Sequence, residues 1–201
     1  RSNVHIQLEG VPGNDLAAFA DGPTITTSGN VQDATANTMN AGLVVVRGSA
    51  GDILGYAMRG GQVFVRDDVG YRVGIHMKSY QDMVPVIVVG GGAGDFLGEY
   101  MAGGLILVLG RGVRDGRSPV GELVGPGVHG GVIYIRGAVE DAQLGKEVGR
   151  RPLEEEDRRT IGQLLRRYVE YFNLDAITFD WEEFTKLVPV THRPYGQLYA
   201  Y

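Results

Sequence analysis

Three arginines within seven residues, Arg111, Arg114 and Arg117 of "RGVRDGRSPV", form the cluster with the clearest chemical potential, offset locally only by Asp115. Guanidinium forks grip phosphate or carboxylate oxygens in pairs. The stretch reads either as a solvated loop or as a contact to a partner or to a partner's cofactor. "GGGAGDFLG" (Gly90 to Gly98) offers consecutive backbone N–H groups that could cradle an anion. A dinucleotide fingerprint needs a helix immediately afterwards. Here "GSAG" (Gly48 to Gly51) fills the same slot of an earlier repeat, which assigns the glycines to a turn. His5, His76, His129 and His192 show no i, i+4 pairing and no carboxylate at metal-ligand spacing. His76 and His129 read as equivalent places on a surface ladder, and Asp67-Asp68 as a solvated corner. No serine, histidine and acid assemble into a triad, so the sequence offers no catalytic, cofactor-binding or metal-binding residue.

Composition narrows the classes further. There is no cysteine in 201 residues, which excludes disulfides, thiolate metal sites, iron–sulfur ligation and a cysteine nucleophile within this chain. A net charge of -5 leaves no basic footprint for nucleic acid. No apolar run approaches a membrane span and no secretory pattern precedes Val4, so a soluble cytoplasmic protein is expected. The 32 glycines against 8 prolines point to many tight turns rather than a disordered tract.

Those turns belong to a repeat. "DILGYAMRGG" (52–61) returns as "DFLGEYMAGG" (95–104), and copies begin at Gly13, Asp33, Asp52, Tyr71, Asp95 and Glu122, spaced 19 to 27 residues apart. A period near twenty with one strand and several glycines per copy is a solenoid signature. Strands are expected at Leu43 to Arg47, Gln62 to Arg66, Pro85 to Val89, Leu105 to Leu109 and Val132 to Arg136. Their inward pairs are Val44/Val46, Val63/Val65, Val86/Val88, Ile106/Val108 and Ile133/Ile135. Phe19, Met39, Met58, Met77, Met101 and Val128 share a second buried slot. The expected fold class is an all-β solenoid, a right-handed parallel β-helix of about six to seven coils over residues 1–150. Residues 151–201 add a C-terminal capping α-helix and short strand: "LEEEDRRTIGQLLRRYVEYF" has Ile161, Leu164, Leu165, Tyr168 and Phe172 at helical spacing, followed by "FTKLVPV".

Between the inward positions lie Val45, Phe64, Ile87, Leu107 and Tyr134, a row of large apolar side chains on the opposite face. Such a row is too long to leave wet. With part of it under the tail helix, the remainder is assigned to a partner interface, together with Arg111, Arg114 and Arg117. Self-association into a homo-oligomer through the same row is a further expectation.

"GEYMAGGLILVLG" (98–110), "GYRVGIHMKSY" (70–80) and "GVHGGVIYIRG" (127–137) resemble the C-terminal β-helix of the glutamate synthase large subunit, the domain named for its repeated glycines. The tail "LLRRYVEYFNLD" is similar to that family's closing helix. The resemblance implies a stand-alone, archaeal-type subunit that holds a glutamine amidotransferase subunit and a flavin-containing synthase subunit together. It implies no catalytic residue here, with FMN and an iron–sulfur cluster on the partners. The two inserts, Ser79 to Met83 and Arg111 to Val120, and Val128 in the methionine slot depart from the family pattern. Related subunits serve N-methylglutamate synthase and the formylmethanofuran dehydrogenase or hydrolase complex, and an interaction-only solenoid is the reading from outside enzymology.

Overall fold

The computed structural model describes residues 4–114 and 116–190. His192 and Asp115 lie outside them.

The alternating apolar half of each copy becomes a strand, and the glycine-rich half becomes a turn segment stacked on its neighbours. The strands are β1 (His5–Leu8), β2 (Asp21–Thr27), β3 (Ala41–Val46), β4 (Gln62–Val65), β5 (Val86–Val89), β6 (Ala102–Val108) and β7 (Gly130–Arg136). They are followed by β8 (Val148–Arg151), α1 (Glu155–Phe172), the one α-helix among the described residues, and β9 (Phe184–Pro189). All nine strands belong to one sheet, in the order β1-β2-β3-β4-β5-β6-β7-β9-β8. Neighbours from β1 to β7 are parallel, whereas β9 runs antiparallel between β7 and β8.

This corrects the expected right-handed parallel β-helix. The strands make one open sheet with β1 and β8 as its edges, not closed into a barrel or solenoid, and with α1 the fold is an open α/β sheet. The physical reason lies in the rest of each copy. It runs as turns joined to the next copy mainly by single bridges, such as Val31–Ala50, Ala50–Val69, Val69–Ala93 and Ala93–Val120, rather than by further strands.

Within the turn segments, left-handed residues alternate with right-handed ones. Ala34, Ala36 and Thr38 have φ of 58°, 63° and 52°. The alternation turns successive N–H groups toward opposite neighbours. Ala34 N–H donates to Asp52 O at 2.9 Å, Ala36 N–H to Leu16 O at 2.7 Å and Thr38 N–H to Tyr56 O at 2.8 Å. Each left-handed L-residue costs roughly 1–2 kcal/mol, and these bonds between copies hold it there. The middle left-handed position faces the sheet, and this is where the glycine motif sits. At Gly98 (φ +70°) a Cβ would meet Ile133 Cδ1 at 2.7 Å, and at Gly74 (φ +71°) Ile106 Cδ1 at 2.6 Å.

The recurrent aspartates staple the copies together. Asp33 Oδ1 accepts from Asp52 N at 2.8 Å, Asp52 Oδ1 from Tyr71 N at 2.8 Å and Asp95 Oδ1 from Glu122 N at 2.9 Å. Asp68 is no idle corner, since its Oδ1 accepts from Gly92 N at 2.8 Å.

Two apolar layers flank the sheet. One lies between sheet and turns and contains Met39, Met58, Met77 and Met101, all fully buried. Phe19 does not join them: it is 68% exposed, and Ala20 packs against that core instead. The other layer lies between the sheet and α1, where Ile161, Leu164, Leu165, Tyr168 and Phe172 meet Phe64, Val88 and Leu107. The helix therefore covers a sheet face rather than capping an end, and β9 is the element that pairs with the edge of the last parallel strand.

Candidate functional site

The described residues of the insert between β6 and β7, 110–114 and 116–120, form one wall of an open cleft. That cleft, about 720 Å³, is lined by Arg66, Asp67 and Asp68 from the end of β4 and by Arg111, Arg114 and Arg117 from the loop. Arg66 is clamped to Asp67, its Nη2 donating to Oδ2 at 2.8 Å and its Nε reaching both carboxylate oxygens at 3.1 and 3.2 Å. The hydrogen bond to Asp67 raises the guanidinium pKa above its ordinary value. Arg111 is fixed from below. Its Nη1 donates to Tyr168 Oη at 3.0 Å, its guanidinium lies 5.7 Å from the centroid of the same ring, and its backbone N–H donates to Gly90 O at 2.8 Å.

Tyr168 ties helix, sheet and loop together. Fully buried in α1, it donates its hydroxyl proton to Arg66 O at 2.6 Å while accepting from Arg111. Burial pushes its pKa up, against the opposing pull of Arg111. The glycine run beginning at Gly90 is explained by this approach, because a Cβ at Gly90 would fall on Tyr168 Oη and Arg66 O. On its other side the loop borders a second cleft of about 500 Å³ with Arg136, which pairs with Glu183 at 2.6 Å. Backbone hydrogen bonding from Asp180, then Arg136, holds the Glu183 carboxyl below its usual value.

The structure brings Arg111, Arg114 and Arg117 together with Arg66, the last residue of the strand expected at Gln62 to Arg66. Tyr168 was legible only as apolar helix face; its hydroxyl, which a buried tyrosine must satisfy, was the available signal. The expected apolar row is placed differently. Val45, Phe64, Leu107 and Tyr134 are at most 4% exposed beneath α1, and Ile87 belongs to the opposite face, packed in the methionine core. Gln62 pairs with Val86 rather than Pro85, so the inward residues of β5 are Ile87 and Val89 in place of Val86 and Val88. A slip of one residue exchanges the faces of a strand. The row is thus an internal seam, not an open surface.

Where this seam ends, Tyr134 Oη donates to Asp157 Oδ1 at 2.5 Å, and Lys186 Nζ and Glu154 N donate to Asp157 Oδ2 at 2.7 Å each. Burial alone would push the Asp157 carboxyl up. The Lys186, Tyr134 and Glu154 hydrogen bonds outweigh it, and the carboxyl sits below its ordinary value. Burial and then the Asp157 bond raise the Tyr134 hydroxyl. This network joins β7, α1 and β9. Among the histidines, His76 stacks on Tyr100 at 5.3 Å and meets Tyr56 edge-on at 6.0 Å. His129 does not occupy an equivalent place: its Nδ1 lies 2.9 Å from Gly127 O. His76 precedes its slot residue Met77, whereas His129 follows Val128.

The glycine column and the strands it serves match a known pattern: the model of the GXGXG motif family covers residues 1–190. The chain belongs to the GXGXG motif family. An uncharacterized protein of Methanocaldococcus jannaschii is 46% identical to this GXGXG chain over 208 residues, an alignment spanning the whole chain and 78% of that protein. Among the described residues of the GXGXG chain, no helix is long and apolar enough to cross a membrane.

Proposed function

We propose that this GXGXG chain is a non-catalytic assembly subunit of a glutamate-synthase-type complex. In that reaction the amide nitrogen of glutamine is transferred to 2-oxoglutarate, giving glutamate. The chain would hold a glutamine amidotransferase subunit and a flavin-containing synthase subunit in register. The observation that carries the reading is the family match over residues 1–190, in which the glycine column lies where the fold needs it, opposite Ile106 and Ile133.

An iron–sulfur cluster of such a complex requires thiolate ligands, and this chain has no cysteine. The cluster is therefore assigned to a partner, and FMN to the flavin-containing synthase subunit that the reading already includes. What this chain contributes is shape: a sheet stiffened on one face by α1 and on the other by hydrogen-bonded turns.

Purifying the tagged chain from its own source and identifying what accompanies it tests the reading. Recovery of a flavoprotein with a glutamine amidotransferase supports it. Flavin binding or glutamine hydrolysis by the isolated chain overturns it.

A further inference from the structure

We propose that the cleft lined by Arg66 just after β4 and by Arg111, Arg114 and Arg117 of the insert after β6 is a binding site for a small phosphorylated ligand carrying more than one phosphate charge. This goes beyond the assembly reading and needs no partner subunit. Among the described lining residues four arginines stand against two aspartates, in a chain of net charge -5, and even with Asp115 of the same insert counted the local charge has the opposite sign to the whole. Both aspartates are already engaged, Asp67 by Arg66 and Asp68 by the Gly92 N–H. Arg66 and Arg111 are held in place by Asp67 and Tyr168, so part of the orientational cost of binding is met before a ligand arrives. Arg114 and Arg117 are exposed on the loop and have no ion-pair partner among the described residues.

The stoichiometry of charge selects the ligand class. One or two guanidinium forks saturate a single carboxylate, whereas the forks of Arg114 and Arg117, unpaired among the described residues, and the N–H groups of Arg66 and Arg111 not spent on Asp67 and Tyr168 match the several oxygens of a phosphoanhydride. At about 720 Å³ the cleft is the size that holds small-molecule ligands. Among the described residues that line it none is aromatic, and the nearby Tyr168 ring lies against Arg111 with its hydroxyl already bonded. The described lining thus offers no face for a base to stack on, and recognition rests on the phosphates. The loop is also an insert that lengthens its copy beyond what the strand register of β6 and β7 requires, and inserted loops are where binding residues concentrate.

Isothermal titration of the full chain at low ionic strength tests the site, with inorganic tripolyphosphate and pyrophosphate as probes. Tricarballylate and hexaglutamate serve as carboxylate and acidic-peptide comparisons. Tripolyphosphate is expected to bind more tightly than either comparison, to weaken as salt is raised, and to lose affinity on the order of tenfold for each of Arg114→Gln and Arg117→Gln. Arg159→Gln, exposed on α1, should leave binding unchanged. Circular dichroism of each variant separates lost binding from lost fold. No binding of tripolyphosphate by the folded chain, equal binding by the folded variants, or preference for hexaglutamate overturns the proposal, the last in favour of a protein contact.

Discussion

Replacing Gly98 by alanine probes the fit between turn layer and sheet on which the fold rests. Gly98 sits at φ +70°, where an L-residue costs roughly 1–2 kcal/mol. Ala36 occupies the corresponding position of an earlier copy at φ 63°, so the backbone alone tolerates a methyl group. What differs is the space. A Cβ on Gly98 would lie 2.7 Å from Ile133 Cδ1, well inside the 3.5–4.0 Å of an unstrained carbon contact. Overpacking of this kind costs about 1–3 kcal/mol. Reduced entropy of the unfolded chain returns about 0.4–1 kcal/mol, leaving a net destabilisation of about 1–5 kcal/mol. Ile133→Val removes the opposing methyl group and by itself costs about 0.5–1.5 kcal/mol. In the double variant the clash is gone while the φ cost remains, so the two changes should couple favourably by about 1–2 kcal/mol. Urea denaturation followed by far-UV circular dichroism on all four proteins measures this. Strict additivity, or a Gly98→Ala midpoint equal to the parent's, would refute the packing argument.

Phe64→Ala should destabilise the fold by about 3–5 kcal/mol, because the ring is fully buried and meets Tyr171 edge-on at 4.9 Å; an unchanged urea midpoint with lost association would instead restore the row to a partner surface. Asp157→Asn should cost roughly 3 kcal/mol at neutral pH by leaving Lys186 without its buried partner. Since the Asp157 carboxyl lies below its ordinary value, its contribution is whole above the unfolded value of about 3.9 and is lost as pH falls toward and through the folded value. Thermal melts between neutral pH and pH 2 should therefore fall more steeply for the parent than for Asp157→Asn, and parallel curves would remove the network from the account.

The repeat was legible because the same residue types must recur wherever one copy rests on the next. Met39, Met58, Met77 and Met101 share one buried slot for that reason, and the apolar face of α1 is the one the helical spacing marks. The overall architecture was not legible. A period near twenty reports stacking, but it does not say whether the remainder of a copy is strand or left-handed turn, and here it is turn. Strand β2 escaped notice because "DGPTITT" buries only Ile25 and Thr27 and carries no apolar alternation. The five-residue insert before β5 hid its register, which put Ile87 on the wrong face. Of the cleft, the loop arginines stood out by spacing, whereas Arg66 and Tyr168 join them only through long-range packing, 45 and 57 residues away from Arg111.

An assembly subunit of a glutamine-dependent synthase complex, the role proposed for this GXGXG chain, must travel with the proteins it holds. Size-exclusion chromatography with light scattering and mass spectrometry of the complex isolated through the tagged chain reads this out. The expected result is a single species containing this chain, a flavoprotein and a glutamine amidotransferase, with glutamate formed from glutamine and 2-oxoglutarate by the complex and not by the chain alone. A chain that elutes by itself, or one that accompanies neither protein, would contradict it.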